Sequence, residues 1–235
     1  MKKIIIVITL LFGLNSFAQD LNTFFEKTDA FLKENVKKGR VAYGQIHKNP
    51  EPLNELFEIA EKLTINKDDS VTYQAFWINA YNLSVIKGII DNYPIKSPLD
   101  KPGFFDKTEY NVAGKSITLN DIENKLLRAQ FNDARFHFVL VCGAVGCPPI
   151  ISEAYVPSKL EQQLNTQTTL ALNGSFLKVN AKKKRVESSE ILKWYKEDFV
   201  QNGTEIDFIN QYRTKKIPND YKLTYFSYNW NLNIQ

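Results

Sequence analysis

Cys147 is followed by Pro148 and Pro149, a spelling that places a thiol at the first turn of a helix, where partial positive charge lowers a thiol pKa. A thiolate held there is a nucleophile for hydrolysis or acyl transfer, and it needs a base beside it. The sequence contains two histidines, His47 and His137, and two cysteines, Cys142 and Cys147. The same cysteines support a second chemistry. Gly-Ala-Val-Gly separates them, and such a spacer closes a small disulfide loop wherever the turn brings the α-carbons within about 7 Å. The gain is roughly 2 kcal/mol on the chain-entropy model. A bridge removes the nucleophile, so a reactive thiol, a disulfide and a pair of inert buried thiols are three alternatives that all stand at this point.

Polar residues in apolar surroundings are the other candidates. Asn79 and Asn82 sit in a run that is otherwise apolar, so each amide must meet a partner or cost about 1–3 kcal/mol. That partner is a ligand or, more often, the backbone of a neighbouring loop. Glu123 and Arg135 read in the same way, as a binding pair or as an internal ion pair. One histidine, two cysteines and one carboxylate make no zinc spacing. We expect no metal and no cofactor.

The elements that position these groups follow from hydrophobic periodicity. Helical spacing runs from Leu21 to Lys38, from Pro52 to Leu63, and from Ser70 to about Asn92. The third of these is apolar around nearly its whole circumference, the mark of a buried helix. Tyr110 to Leu119, with Gly114 between two short extended runs, predicts a hairpin. Asn120 is placed to cap a helix ending near Arg128. Arg135 to Cys142 alternates like a central strand, apolar on both faces. In such a strand His137 and Cys142 stand roughly 16 Å apart on opposite faces, so that only Cys147 can reach His137, and only if residues 143–146 turn sharply back. A helix over 157–173, a hairpin with the basic run 182–185 at its tip, helices over 189–199 and 204–213, and a strand near 224–228 complete the chain. The basic run reads as a solvated hairpin tip. Helices and strands in mixed order predict an α+β fold, one globular domain with several helices around a mainly antiparallel or mixed sheet.

Met1 to Ala18 has the three parts of a cleavable signal peptide. Lys2 and Lys3 precede an apolar run from Ile4 to Leu14, and Ser16-Phe17-Ala18 closes it. The expected exported chain is residues 19–235, beginning at Gln19, one domain, periplasmic or secreted, with no transmembrane segment. Losing Lys2 and Lys3 takes the formal charge from +4 to +2, too little to argue for nucleic acid. With 16 Phe and 11 Tyr, a large packed interior is expected.

Three stretches together resemble the family called domain of unknown function 547 (DUF547). They are Phe76-Trp77-Ile78-Asn79-Ala80-Tyr81-Asn82 with Pro94 beyond it, Leu119-Asn120-Asp121-Ile122-Glu123 ending at Leu127-Arg128, and Arg135-Phe136-His137-Phe138-Val139-Leu140-Val141-Cys142-Gly143 continuing to Cys147-Pro148-Pro149. Trp194-Tyr195 with Asp198-Phe199, and the closing Tyr228-Asn229-Trp230-Asn231-Leu232-Asn233, extend the likeness over roughly residues 40–233. The resemblance assigns no activity, because none is generally assigned to the family. It does put His137 rather than His47 in a motif, which makes His137 the base for Cys147, with Glu123 to orient the ring. The chain departs from its relatives at Asn124, where histidine is frequent, and at Asn229, where aspartate is; any chemistry that needs that histidine is missing here.

Two classes of function remain. One is a cell-envelope binding or scaffold domain for a small molecule or peptide, with His137, Asn79, Asn82 and Arg135 about a polar pocket and Cys142 bridged to Cys147. The other is a cysteine hydrolase or acyl-transfer enzyme for peptide or cell-wall-like substrates, built on Cys147, His137 and Glu123.

Overall fold

The computed structural model describes residues 20–235; the expected signal segment Met1 to Ala18 lies outside the described residues. Helix α1 covers 20–35 and leads into a two-residue hairpin, β1 (Val36–Lys37) and β2 (Arg40–Val41). Helices α2 (Tyr43–Lys48) and α3 (Glu51–Lys62) follow, then the long α4 (Ser70–Asp91), whose N-terminus Asp69 caps by accepting from the Thr72 N–H at 3.2 Å. Helix α4 is buried on nearly every side, as its composition predicts, and the main core forms around Phe76, Trp77, Ile78, Ile86 and Ile89. Among the described residues no helix is long and apolar enough to cross a membrane.

The predicted hairpin is β3 (Glu109–Val112) with β4 (Lys115–Thr118), antiparallel. The next helix is capped by Thr118, not by Asn120: the Thr118 side chain accepts from the Asp121 N–H at 3.1 Å. It runs as α5 (Leu119–Asp121), a π-helical stretch Ile122–Arg128, and α6 (Ala129–Phe131). Such π segments concentrate at functional sites, and this one carries both Glu123 and Arg128.

The largest departure from expectation comes next. Arg135 to Cys142 is no central strand: Ala134–Phe138 is a 3-10 helix and the chain beyond it is irregular. Alternation is the same signal for a buried strand and for a buried irregular segment, and here the backbone polar groups that a sheet would satisfy find side chains instead. Asn82 donates to the Val139 carbonyl and accepts from the Val141 N–H, at 2.9 and 2.8 Å.

A 3-10 turn (Pro157–Lys159) opens helix α7 (Leu160–Asn173), and β5 (Leu177–Asn180) and β6 (Arg185–Ser189) form the second predicted hairpin, with the exposed run 182–185 at its tip. Helices α8 (Glu190–Trp194) and α9 (Lys196–Phe199) are broken at Tyr195, followed by α10 (Glu205–Tyr212) and β7 (Lys222–Phe226). Strand β6 pairs antiparallel with β5 and parallel with β7, so the largest sheet is mixed; the other strands form two-stranded sheets. The fold is α+β. A second, smaller core gathers around Phe138, which packs on Phe176, Phe199 and Phe208.

The last residues tie the fold together. Val145 N–H donates to Asn231 and Gly146 N–H to Asn229, both at 2.8 Å, while Asn233 N–H donates back to Gly143 at 3.0 Å and its carbonyl accepts from Val41 at 2.9 Å. The closing Tyr228–Asn233 segment thereby clamps the loop between the two cysteines. Both glycines of that loop are required. Gly143 has φ +81, and a side chain there would also meet Ile89 at 2.6 Å; a Cβ on Gly146 would meet the Tyr228 ring at 2.8 Å.

Candidate functional site

Where the two cores meet lies a cavity of about 210 Å³, lined by residues far apart in sequence. Its floor is Glu123, His137 and Tyr81; its wall includes Cys142 and Cys147; its rim is Trp194, Tyr195, Tyr228 and Trp230. The 3-10 turn and the clamped loop bring both cysteines and His137 to one cavity, where an extended strand would have separated His137 from Cys142.

His137 is buried, with the Tyr195 ring 4.0 Å and the Phe199 ring 5.2 Å from its own. Its Nε2 lies 2.6 Å from the Asp198 carboxylate, which also accepts from Arg128 Nε at 2.7 Å. Burial by itself would raise the Asp198 pKa, but the bonds from His137 and Arg128 outweigh it and hold the carboxyl well below its ordinary range. An ionised carboxylate has no hydrogen to give, so the Nε2 of His137 carries the hydrogen that joins the two. Arg128 is further held by the Asn124 side chain and lies over the Tyr195 ring at 4.7 Å. Asn124 thus steadies an arginine outside the cavity.

Expectation assigned the orienting role to Glu123, and the structure gives that position to Asp198. Glu123 instead faces two phenols, with the Tyr81 hydroxyl 3.5 Å from its carboxylate and Tyr195 beside it. Burial and the Glu123 charge raise both phenol pKa values, which keeps both hydroxyls protonated. Asp198 was readable only as part of the Trp194-Tyr195 and Asp198-Phe199 match, because nothing local links it to a histidine 61 residues away.

Glu123 and Arg135 do not pair. Arg135 leaves the 3-10 turn toward α7, where Asp133 and Glu161 bind it, each at 2.6 Å, with Asn165 at 3.0 Å. Asn79 and Asn82 do not line the cavity either. Asn79, 1% exposed, donates to the Ala75 and Tyr155 carbonyls at 2.9 and 2.7 Å and accepts from the Tyr155 N–H at 3.0 Å. Both amides serve loops packed on α4. Asn79→Leu should therefore lower stability by about 2–4 kcal/mol in spite of its gain in apolarity, since two buried Tyr155 groups lose their partner; an unchanged denaturation midpoint would contradict this.

The cysteine sulfurs are at disulfide distance, with α-carbons 6.3 Å apart. The Cys142 N–H donates to Cys147 Sγ at 2.9 Å, and the Tyr228 hydroxyl lies 2.9 Å from each sulfur. Burial, with Tyr195 and Glu123 nearby, raises the Tyr228 pKa, so this phenol remains a donor. No helix begins at Pro148; the next helical turn starts at Pro157. The helix-terminus activation expected for Cys147 is absent, because the chain after it stays irregular, with Pro149 against Gly39 and Ala154 and Tyr155 bonded to Asp29 and Asn79. His47 lies elsewhere, its Nδ1 3.0 Å from the Ile90 carbonyl. Among the described residues no group of three or more His, Cys, Asp or Glu side chains is placed to hold a metal.

Residues 67–170 match the model of the family described as "Protein of unknown function, DUF547", the family that the motifs resemble. No curated protein and no solved structure matches the chain. The matched segment supplies the floor and the cysteine wall of the cavity, whereas Asp198 and the aromatic rim come from beyond it.

Proposed function

We propose that this DUF547 chain is an exported binding domain of the cell envelope, cut after Ala18, that holds a small molecule or one group of a peptide in the aromatic cavity, with Cys142 bridged to Cys147. The observation that carries this reading is the cavity itself: about 210 Å³, lined by Trp194, Tyr228 and Trp230 together with Glu123 and His137, with the two sulfurs in its wall. Sites for small ligands have this composition, mostly apolar and aromatic walls with a few convergent polar groups. The bridge fits an oxidising compartment and stiffens the wall, while the clamping tail supports it from behind.

A second reading draws on one specific observation. His137 is bonded to Asp198 at 2.6 Å and shares the cavity with Cys147. With the pair reduced, Cys147 would be the nucleophile of a hydrolase or acyl-transfer enzyme, His137 Nδ1 its base and Asp198 the group that orients the ring.

Intact mass and thiol alkylation of the exported protein separate the two. The binding reading expects a chain beginning at Gln19, no thiol alkylated after denaturation, and a gain of two hydrogens on reduction. Rapid native alkylation of Cys147 alone, slowed by His137→Ala, would overturn it in favour of the enzyme.

A further inference from the structure

Resting on the binding reading, we infer that the occupant of the cavity is a small organic ammonium ion. Five aromatic side chains line the space, Tyr81, Trp194, Tyr195, Tyr228 and Trp230, around one carboxylate, Glu123. Arg128 and Asp198 cancel each other in their 2.7 Å pair, and Arg128 is not among the residues that line the cavity. Among the described residues no lysine or arginine forms a salt bridge with Glu123; phenol hydroxyls are beside it, and Arg128, whose charge Glu123 feels, is already bonded to Asp198. The Tyr195 ring already carries His137 and Arg128, so the cavity holds a carboxylate beside the rings of Trp194, Tyr228 and Trp230, an arrangement that attracts a cation by charge and by the ring quadrupoles together.

The rim adds an independent argument. Trp194 is 46% exposed although it stacks on Trp230, centroids 6.0 Å apart and planes 22° apart, and meets Tyr228 at 5.0 Å. Trp230 and Tyr228 are themselves 4.7 Å apart. Three adjacent rings, one of them left largely in water, form an open wall that a hydrophobic core does not need and that an alkylated ammonium group would cover. An anionic ligand would meet Glu123, and among the described residues no lysine or arginine lines the cavity to offset it. A neutral ligand would use the rings and at most donate a hydrogen bond to the carboxylate, leaving its charge unmatched.

The test is titration of the full oxidised protein with choline, with butylammonium, and with the neutral carbon isostere of choline, in which tert-butyl replaces trimethylammonium, read by tryptophan fluorescence and by calorimetry. The expected result is saturable binding of at least one ammonium ion, with the isostere at least about tenfold weaker. Glu123→Gln should weaken the cation about tenfold and leave the isostere unchanged. If that variant fails to fold, Trp194→Ala, at an exposed position, should weaken the cation instead. Equal binding of choline and its isostere would overturn the inference and leave the binding reading standing. Binding of neither ammonium ion would overturn the inference too, and the thiol measurement then decides the broader reading by itself.

Discussion

Trp77→Ala should lower the free energy of unfolding by about 3–5 kcal/mol, the largest loss we expect from any single truncation in this chain. The indole is 1% exposed in the first half of α4, edge-on to Phe76 with centroids 5.1 Å apart and 6.0 Å from Tyr73. Its ring neighbours Tyr73 and Phe76 sit on the same helix, so they cannot collapse into the space without moving α4, and a cavity remains. The effect should reach the candidate site as well, because Tyr81 projects into it from one helical turn further along. Chemical denaturation reads the loss as a lower midpoint at unchanged slope; a change below about 1 kcal/mol would show that the helix is not the centre of the core.

Asp198→Ala should cost about 2–3 kcal/mol at neutral pH, since the buried imidazole of His137 and the partly buried guanidinium of Arg128 lose their shared acceptor. The pH dependence makes this specific. The folded state holds the Asp198 carboxyl below its ordinary pKa, so its contribution is fully present above the ordinary carboxylate value near 4 and is lost as pH falls through the lower folded value. Wild-type stability should thus drop between about pH 5 and pH 2, and Asp198→Asn, which keeps the shape without the charge, should flatten that part of the curve. Parallel curves for the two proteins would mean that the carboxylate is not coupled to its neighbours as the geometry requires.

The helices were legible because amphipathic or all-round apolar periodicity is a local property, and α3, α4 and α7 lie within a few residues of where that periodicity puts them. Both hairpins were legible from their turns. The stretch over 135–142 was not, since alternating apolar residues satisfy a buried strand and a buried irregular segment equally, and only the partner of each N–H and carbonyl separates the two. Here the Val139 carbonyl and the Val141 N–H find the Asn82 side chain, 57 and 59 residues away, which no sequence window contains.

For the candidate site, the sequence by itself determined the chemistry available: two cysteines spaced to reach each other, a single histidine in a motif, and asparagines that had to find buried partners. Tertiary structure alone decided which of them meet. It spent Asn79 and Asn82 on loop backbone, turned Arg135 toward Glu161, and placed Asp198 rather than Glu123 on His137. It also built the rim from two segments more than thirty residues apart, 194–195 and 228–230. Residue types set what a side chain can bond, and local spacing sets which face of an element carries it. Its actual partner depends on how elements from distant parts of the chain pack, and that packing is settled by burial summed over the whole core.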